Sequence, residues 1–378
     1  AEVKIPLNID RQVVPNQGGL TVTVASTLIP ELTAPAQDTF NDDDFPFLEP
    51  TASQLLIAAN LEILKQRYSQ ASENFDIQAE ASQALTHLSQ LQLASGGFAT
   101  FPGDDTSDPY VTPYAAEAIA LAQQTGLSID ENLVSKLKKY LDQTLANPSQ
   151  FSECSTTNCK NTVRLETLLA LDQLGDVRGD FAATLYDARE EFDTVGKIKL
   201  ARHLSQLLDW QIQAQELADE INELIYQTGR TAQINLPQRW FWYHSNTTAQ
   251  SQALRLFAEI KQTPATLSQV LQGLLDQRRD GTWQTSYDNA QALTALTAYS
   301  ATESIPPSLS GAIKLDRKQL GEFNFQGYEN PSATVDVPMQ DLPKGNRDLI
   351  IQKDGDGKLH YLSEFNYRLP GSQPGKLN

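Results

Sequence analysis

The sequence predicts an α+β chain of more than one domain, an α/α toroid inserted into a small antiparallel β-sandwich. Three observations carry this expectation. Apolar and polar side chains alternate at both ends of the chain, a helical period runs through its middle, and one glycine–aromatic turn occurs twice at widely separated places.

Residues 3 to 28 alternate, as in Leu20-Thr21-Val22-Thr23-Val24, with Asn16-Gln17-Gly18-Gly19 as a turn, and predict two strands. From Thr51 to about Ser300, apolar residues return at helical spacing, for example Leu55, Leu56, Ala59, Leu61, Ile63 and Leu64. Gly, Pro, Asn and Asp interrupt the pattern often enough to predict about eleven or twelve helices. After Pro306-Pro307 the strands return, at Ala312 to Leu315, Gly321 to Tyr328, Ser332 to Val337, Asp348 to Lys353 and Leu359 to Tyr367. Two N-terminal strands cannot bury a face by themselves. Residues 1–30 and 304–378 are therefore read as one discontinuous β-domain, and residues 31–303 as a helical insertion.

The recurring turn places Gly four residues after Gln and an aromatic two further on, in Gln92…Gly96…Phe98 and Gln277…Gly281…Trp283. Glycine permits the reversal after a helix, and the aromatic pins the turn to neighbouring helices, as a ring of helical hairpins requires. Triterpene cyclases carry similar repeats, which raises a cyclase-like or polysaccharide-acting enzyme as an alternative. Such an enzyme needs convergent acids and a deep aromatic pocket. Asn41-Asp42-Asp43-Asp44 resembles an acid cluster, but it also reads as a solvated loop ahead of a helix. A free-standing adhesion or binding module is a second alternative.

With 378 residues, 40% hydrophobic and a formal charge of −18, the chain is globular and ill suited to nucleic acid or anionic lipid surfaces. It shows no apolar run of membrane-spanning length and no signal-peptide pattern. With Met339 as its single methionine, it reads as a fragment or a processed product. Cys154 and Cys159 lie five residues apart with no further Cys or His ligands nearby. A disulfide, two free thiols and a metal site all stay open, the last least supported. A disulfide would imply an oxidising compartment.

The remaining polar groups have plain readings. His87, His203, His244 and His360 show no ligand spacing. His244 adjoins the aromatic run Trp240-Phe241-Trp242-Tyr243 but no nucleophile motif. The aromatic run itself reads as core, or as a contact surface for a neighbouring domain if it lies at a rim. Asp104, Asp105 and Asp108 read as a solvated loop in which Asp108 caps a helix from Pro109. Asp354 and Asp356 sit in Asp-Gly dipeptides that suit a hairpin turn better than a calcium loop, whose closing position falls on Phe365 rather than Glu364. No cofactor or metal is expected.

Several segments carry a family resemblance. Residues 45–53, Phe-Pro-Phe-Leu-Glu-Pro-Thr-Ala-Ser, resemble the thioester segment Tyr-Gly-Cys-Leu-Glu-Gln-Thr-Ala-Ser of alpha-2-macroglobulins. Gly96-Gly97-Phe98 with Phe101-Pro102-Gly103 and Ser107-Asp108-Pro109-Tyr110-Val111-Thr112-Pro113-Tyr114-Ala115 is similar to the bacterial members' GGFxxWPGxxxSDPYVTAYA stretch. Trp283 through Leu293 resembles their WxSTQDNAxAL helix start, and Asp354 through Tyr361 resembles the hairpin that follows. The resemblance implies a thioester-type toroid within a CUB-like β-domain.

It also implies the C-terminal part of a protease trap that is not an enzyme. Proteases and the chain's own neighbouring macroglobulin domains would be its partners. The location would be periplasmic or the cell envelope, with any membrane attachment through an N-terminal lipid anchor outside the chain. The thioester needs a thiol and a glutamine carboxamide, and Phe47 and Pro50 supply neither. Phe47, Leu48, Glu49 and Pro50 thus mark a degenerate thioester position, read as a buried plug, and imply a trap that works sterically.

Overall fold

A computed structural model describes residues 1–28, 31–41, 47–68, 75–150, 154–229, 231–237, 243–303, 305–328 and 330–370. It is α+β and divides into two compact units, one of residues 1–30, 67–70 and 303–378 and one of residues 31–66 and 71–302.

The β unit begins with β1 (Glu2–Ile9) and β2 (Gly18–Ala25). Its other strands follow the helices in sequence: β5 (Ser308–Leu315), β6 (Lys318–Gln326), β7 (Ser332–Pro338), β8 (Gly345–Asp356) and β9 (His360–Tyr367). They form two antiparallel sheets of order β1-β8-β5-β6 and β7-β2-β9. Neither N-terminal strand pairs with the other. β1 runs against β8 from Glu2↔Gln352 to Ile9↔Gly345, and β2 lies between β7 and β9. Alternation directs Leu20, Val22 and Val24 from one sheet and Leu309, Ile313, Phe323, Phe325, Leu349 and Ile351 from the other into a shared core.

Strands β5 and β8 are longer than the sequence suggests, because β5 pairs along β8 as far as Ser308↔Asp356. The expected hairpin at Asp354 to Tyr361 is not formed. Asp354 to Asp356 still belong to β8, and the chain then crosses to the other sheet, where β9 pairs with β2. Asp-Gly chemistry turned the backbone as expected, but β2 offered β9 its edge.

The helical unit holds twelve α-helices among the described residues. The first is α1 (Thr33–Asn41), ahead of the expected start at Thr51 and carrying Pro35 in its opening turn. The series continues with α2 (Leu48–Arg67), α3 (Ile77–Leu91), α4 (Val111–Gln124), α5 (Glu131–Ala146) and α6 (Thr157–Gln173). Next come α7 (Ala182–Asp187), α8 (Thr194–Ser205) and α9 (Gln211–Glu223). A short hairpin of β3 (Tyr226–Thr228) and β4 (Thr231–Gln233), absent from the sequence reading, precedes α10 (Asn246–Glu259), α11 (Pro264–Leu275) and α12 (Ser286–Ala301).

The even-numbered helices pack in succession, α4 on α6, α6 on α8, α8 on α10 and α10 on α12. Two hydrogen bonds return the series to its start, from Asn60 of α2 to Thr294 of α12 at 2.9 Å and between Ser53 of α2 and Tyr114 of α4 at 2.8 Å. Accordingly α2, α10 and α12 are buried on all faces, while α3, α5 and α9 bury one stripe. No described helix is long and apolar enough to cross a membrane.

Both copies of the predicted turn form. Gly96 and Gly281 adopt φ of +97° and +86°, which a side chain would resist. Phe98 and Trp283 are buried, and each backbone N–H is met by a side chain of the next inner helix, Thr112 at 3.1 Å and Asn289 at 2.9 Å. Gln92 ties its turn to the carbonyls of Gly96 and Leu133 at 3.1 and 2.9 Å.

Candidate functional site

The first turns of the even-numbered helices are joined in a closed circuit, and the Phe47–Pro50 segment lies on it. The Leu48 N–H donates to Thr100 at 3.0 Å ahead of α4, and the Tyr110 hydroxyl meets the Cys159 sulfur in α6 at 3.1 Å. Asn158 reaches the Glu191 carbonyl before α8 at 3.1 Å, and Asp193, which caps α8, pairs with His244 ahead of α10. Ser245, the cap of α10, donates to Asp288 of α12 at 2.5 Å, and Ser286 of α12 donates to Glu49 of α2 at 3.2 Å.

Carboxylates recur around this circuit because helix N-termini carry unpaired N–H groups and partial positive charge. Asp108 illustrates the point. Its carboxylate accepts the N–H groups of Tyr110 and Val111, each at 2.8 Å, so the cap is where the sequence put it, although the helix opens at Val111 rather than Pro109.

At the predicted thioester position, Leu48 and Pro50 are buried and Phe47 and Glu49 half-buried. Phe47 is therefore less enclosed than a plug, with its ring centroid 5.5 Å from that of Phe101. Pro50 falls in the first turn of α2, where a missing N–H costs no helical hydrogen bond. The Phe47 carbonyl accepts the Thr51 N–H at 3.2 Å and its hydroxyl at 2.8 Å, and Glu49 accepts the Ser53 hydroxyl at 2.7 Å.

Cys154 and Cys159 are joined in a disulfide beside the cap of α6. Of the predicted aromatic run, Trp240, Phe241 and Trp242 lie outside the described residues. Tyr243 is half-buried with its ring 5.0 Å from Tyr287, which in turn packs 4.7 Å from Tyr114. Burial, with help from Asp108 and Glu49, pushes the Tyr243 hydroxyl well above its ordinary value. Asp42 to Asp44 also lie outside the described residues. Among the described residues, no group of three His, Cys, Asp or Glu could hold a metal ion.

Beneath the tyrosines lies a set of buried ions that the sequence reading missed. Arg255 pairs with Glu117, Lys199 with Glu166 and Arg202 with Glu259, each at 2.7 Å. His203 Nδ1 lies 2.6 Å from Asp172, with both side chains almost wholly buried. Burial works to raise the Glu117 carboxyl, but Arg255, Arg202 and Lys199 together hold it below the usual range. Among these ions and the tyrosines remains a cavity of about 50 Å³, room for a few water molecules. The available signal was that Lys199 and Arg202 alternate with the apolar residues Ile198, Leu200, Ala201 and Leu204.

No family model matches the chain. Over its whole length it is 47% identical to an alpha-2-macroglobulin homolog from Nostoc sp., of which it covers 20%, so the chain spans about a fifth of that relative. The native conformation of Escherichia coli alpha-2-macroglobulin superposes with a TM-score of 0.64 at 15% identity, over 95% of this chain and 23% of the other. Salmonella alpha-2-macroglobulin reacted with methylamine gives 0.64 at 15% identity, over 94% and 24%. The E. coli protein from domain MG7 to the C-terminus gives 0.63 at 17%, over 94% and 57%.

Proposed function

The chain belongs to the bacterial alpha-2-macroglobulin family, and on that premise we propose that it is the C-terminal part of a protease inhibitor that encloses its target without a covalent thioester. In this reading the helical unit is the thioester-type α/α toroid, and the two sheets are the CUB-like β-sandwich whose sequence it interrupts. The observation that carries the proposal is the pair Phe47 and Pro50 where the resemblance calls for cysteine and glutamine. A thioester needs a thiolate and an acyl carboxamide three residues apart, and the chain's two cysteines are already bonded to each other.

Supporting the reading, the segment is well tied into the helical unit. Leu48 and Glu49 tie the first turn of α2 to Thr100 and Ser286, while Thr51 and Ser53 close the turn on Phe47 and Glu49, so the segment serves as a packing element without a reactive bond. The full-length protein would act on proteases from the periplasm or cell envelope, with the toroid contacting neighbouring macroglobulin domains through the rim near Tyr243. The ion pairing weighs against an enzyme that would use the buried acids, because Glu117 and Glu166 are engaged by Arg255 and Lys199.

The test is the intact mass of the full-length protein after methylamine treatment, coupled to a protease assay. No mass gain, with cleavage of a large protein substrate blocked while a small peptide substrate is still cut, is the expected result. A gain of one amine would overturn the assignment of Phe47 and Pro50. Unimpeded cleavage of both substrates would overturn steric trapping.

A further inference from the structure

Helix α9 is covered on its inner side and carries large apolar groups on its outer side as well. Ala214, Leu217, Ala218 and Ile221 form the buried stripe, and the helix packs on α8. Facing out, Leu208 in the turn between α8 and α9 is 91% exposed, Ile212 is 72% exposed and Leu224, just past the last turn, is 55% exposed. Leu208, Ile212, Glu216, Glu220 and Leu224 follow one another at intervals of four, the spacing of a ridge along a helix, and all five are exposed. The ridge is apolar at both ends and acidic in its middle.

Charge around the ridge has one sign. Residues 206–229 hold five carboxylates, Asp209, Glu216, Asp219, Glu220 and Glu223, and no Lys, Arg or His. Lys197 of α8 stands 3.7 Å from Glu220, but it also pairs with Glu190 at 2.7 Å, so the face stays acidic. The Tyr186 hydroxyl donates to Glu216 at 2.6 Å and adds no charge. Position sets the apolar start of the ridge apart from the Phe47–Pro50 segment. Helix α8 begins after its cap Asp193, on the circuit of first turns, and ends about 18 Å further on, where Leu208 emerges.

Aliphatic side chains this open to water gain free energy when another surface covers them, and charge and area choose among the surfaces. An anionic lipid surface, or the same face of a second copy, would set like charge against like. Helix α9 offers a face about 20 Å long and about 12 Å wide, roughly 500 Å² over both sides of a contact, short of the ~1,000 Å² that holds a separate partner. A surface on the same polypeptide needs less, because tethering supplies an effective concentration on the order of millimolar. This chain covers 20% of its Nostoc relative, and the remainder of a protein of that length is the source of such a surface.

We propose that the ridge from Leu208 to Leu224 is a docking face for another domain of the full-length protein, one that presents Lys or Arg side chains around an apolar hollow. The hollow takes Leu208 and Ile212, and the cations meet Glu216 and Glu220. A contact this small and this charged is reversible and weakens with salt. The inference rests on the chain's being part of a longer protein and not on protease trapping, since its test reads access to one side chain and no inhibition.

The experiment is alkylation of Leu208→Cys in the full-length protein with iodoacetamide, read by peptide mass at that position and compared with the same site in the urea-unfolded protein. Cys154 and Cys159 are bonded to each other and do not compete. With nothing over it, a side chain as open as Leu208 reacts in the folded protein at nearly the unfolded rate. The expected rate is at least about tenfold slower, because the site is reached only when the docked domain lifts, and it is the same at every protein concentration. It is expected to recover at about 0.5 M salt, and in Asp209→Lys with Glu220→Lys. A rate within about twofold of the unfolded one would overturn the docking. Protection that fades on dilution would give the face to a second copy, and protection indifferent to both salt and charge reversal would remove the basic partner. Either result overturns the proposal. If Leu208→Cys does not fold, Ile212→Cys at the next step of the ridge repeats the measurement with the same outcomes.

Discussion

Ser286, the first residue of α12, donates its hydroxyl to both carboxylate oxygens of Glu49, at 3.2 and 3.4 Å, and so ties the opening turns of α12 and α2 together. Glu49 also serves Ser53 and sits at a helix N-terminus, so its charge is favoured by position as well as by partners. Glu49→Gln should lower the stability of the full-length protein by about 1–2 kcal/mol, and Ser286→Ala by less, in chemical denaturation. Equal stability of Glu49→Gln and wild type would show that the carboxylate is not needed there.

Phe47→Ala should cost about 1 kcal/mol. The ring is half-buried and shares its contact with Phe101, so it yields roughly half of what full burial would give. Thermal unfolding of the full-length protein is the check, and a loss above about 3 kcal/mol would mean that another surface covers the ring.

Glu117→Gln should be far more damaging, at about 3 kcal/mol, because it leaves Arg255 charged in a site where its side chain is 6% exposed. Replacing both members, Glu117→Met with Arg255→Met, should recover most of that loss. A double variant no better than the single would show that Arg255 is needed for its other neighbours.

His360 gives the β unit a pH dependence. Burial, aided by Lys358, pushes its imidazole down to about 4, so the folded state refuses a proton that the unfolded chain accepts near 6.5. Stability from this group is complete above pH 6.5 and falls as the pH drops from 6.5 towards 4, by up to about 3 kcal/mol. Glu303, 3.9 Å away and raised mainly by burial, has the opposite sign, as its folded form holds a proton to higher pH. His360→Gln should flatten the stability profile between pH 4 and 6.5. An unchanged slope would assign the dependence elsewhere.

Breaking the Cys154–Cys159 bond should cost roughly 2 kcal/mol on chain-entropy grounds, since the loop it closes is short. The measurement is unfolding with and without a dithiol reductant, compared with the double serine variant. Reduction without effect on either would show that the cap of α6 holds without it.

What could be read from the sequence was local. The Gln92–Phe98 and Gln277–Trp283 turns follow from Gly and an aromatic at fixed spacing, and Asp108 caps because its side chain needs only the next three residues. The Asp354–Tyr361 crossing was misread because turn chemistry bends the chain without saying which strand receives it, here β2 rather than β8. The short β3–β4 pair offers three residues a side, too few for a period. The charges at Glu117, Glu166, Lys199, Arg202, Arg255 and Glu259 look like solvated helix faces one helix at a time. Only when α4, α6, α8 and α10 stand together do they become partners.

The pairing of β1 with β8 has a consequence for synthesis. Glu2 meets Gln352, so β1 must wait for nearly all of the residues that follow it before it has this edge to join. At about 5–20 residues per second that wait lasts tens of seconds. The helices between have neighbours close in sequence and can fold meanwhile. Until β7, β8 and β9 emerge, β1 and β2 lack the strands they pair with and keep their apolar faces open, and nascent chains stalled before residue 332 are where chaperone capture of this protein should concentrate.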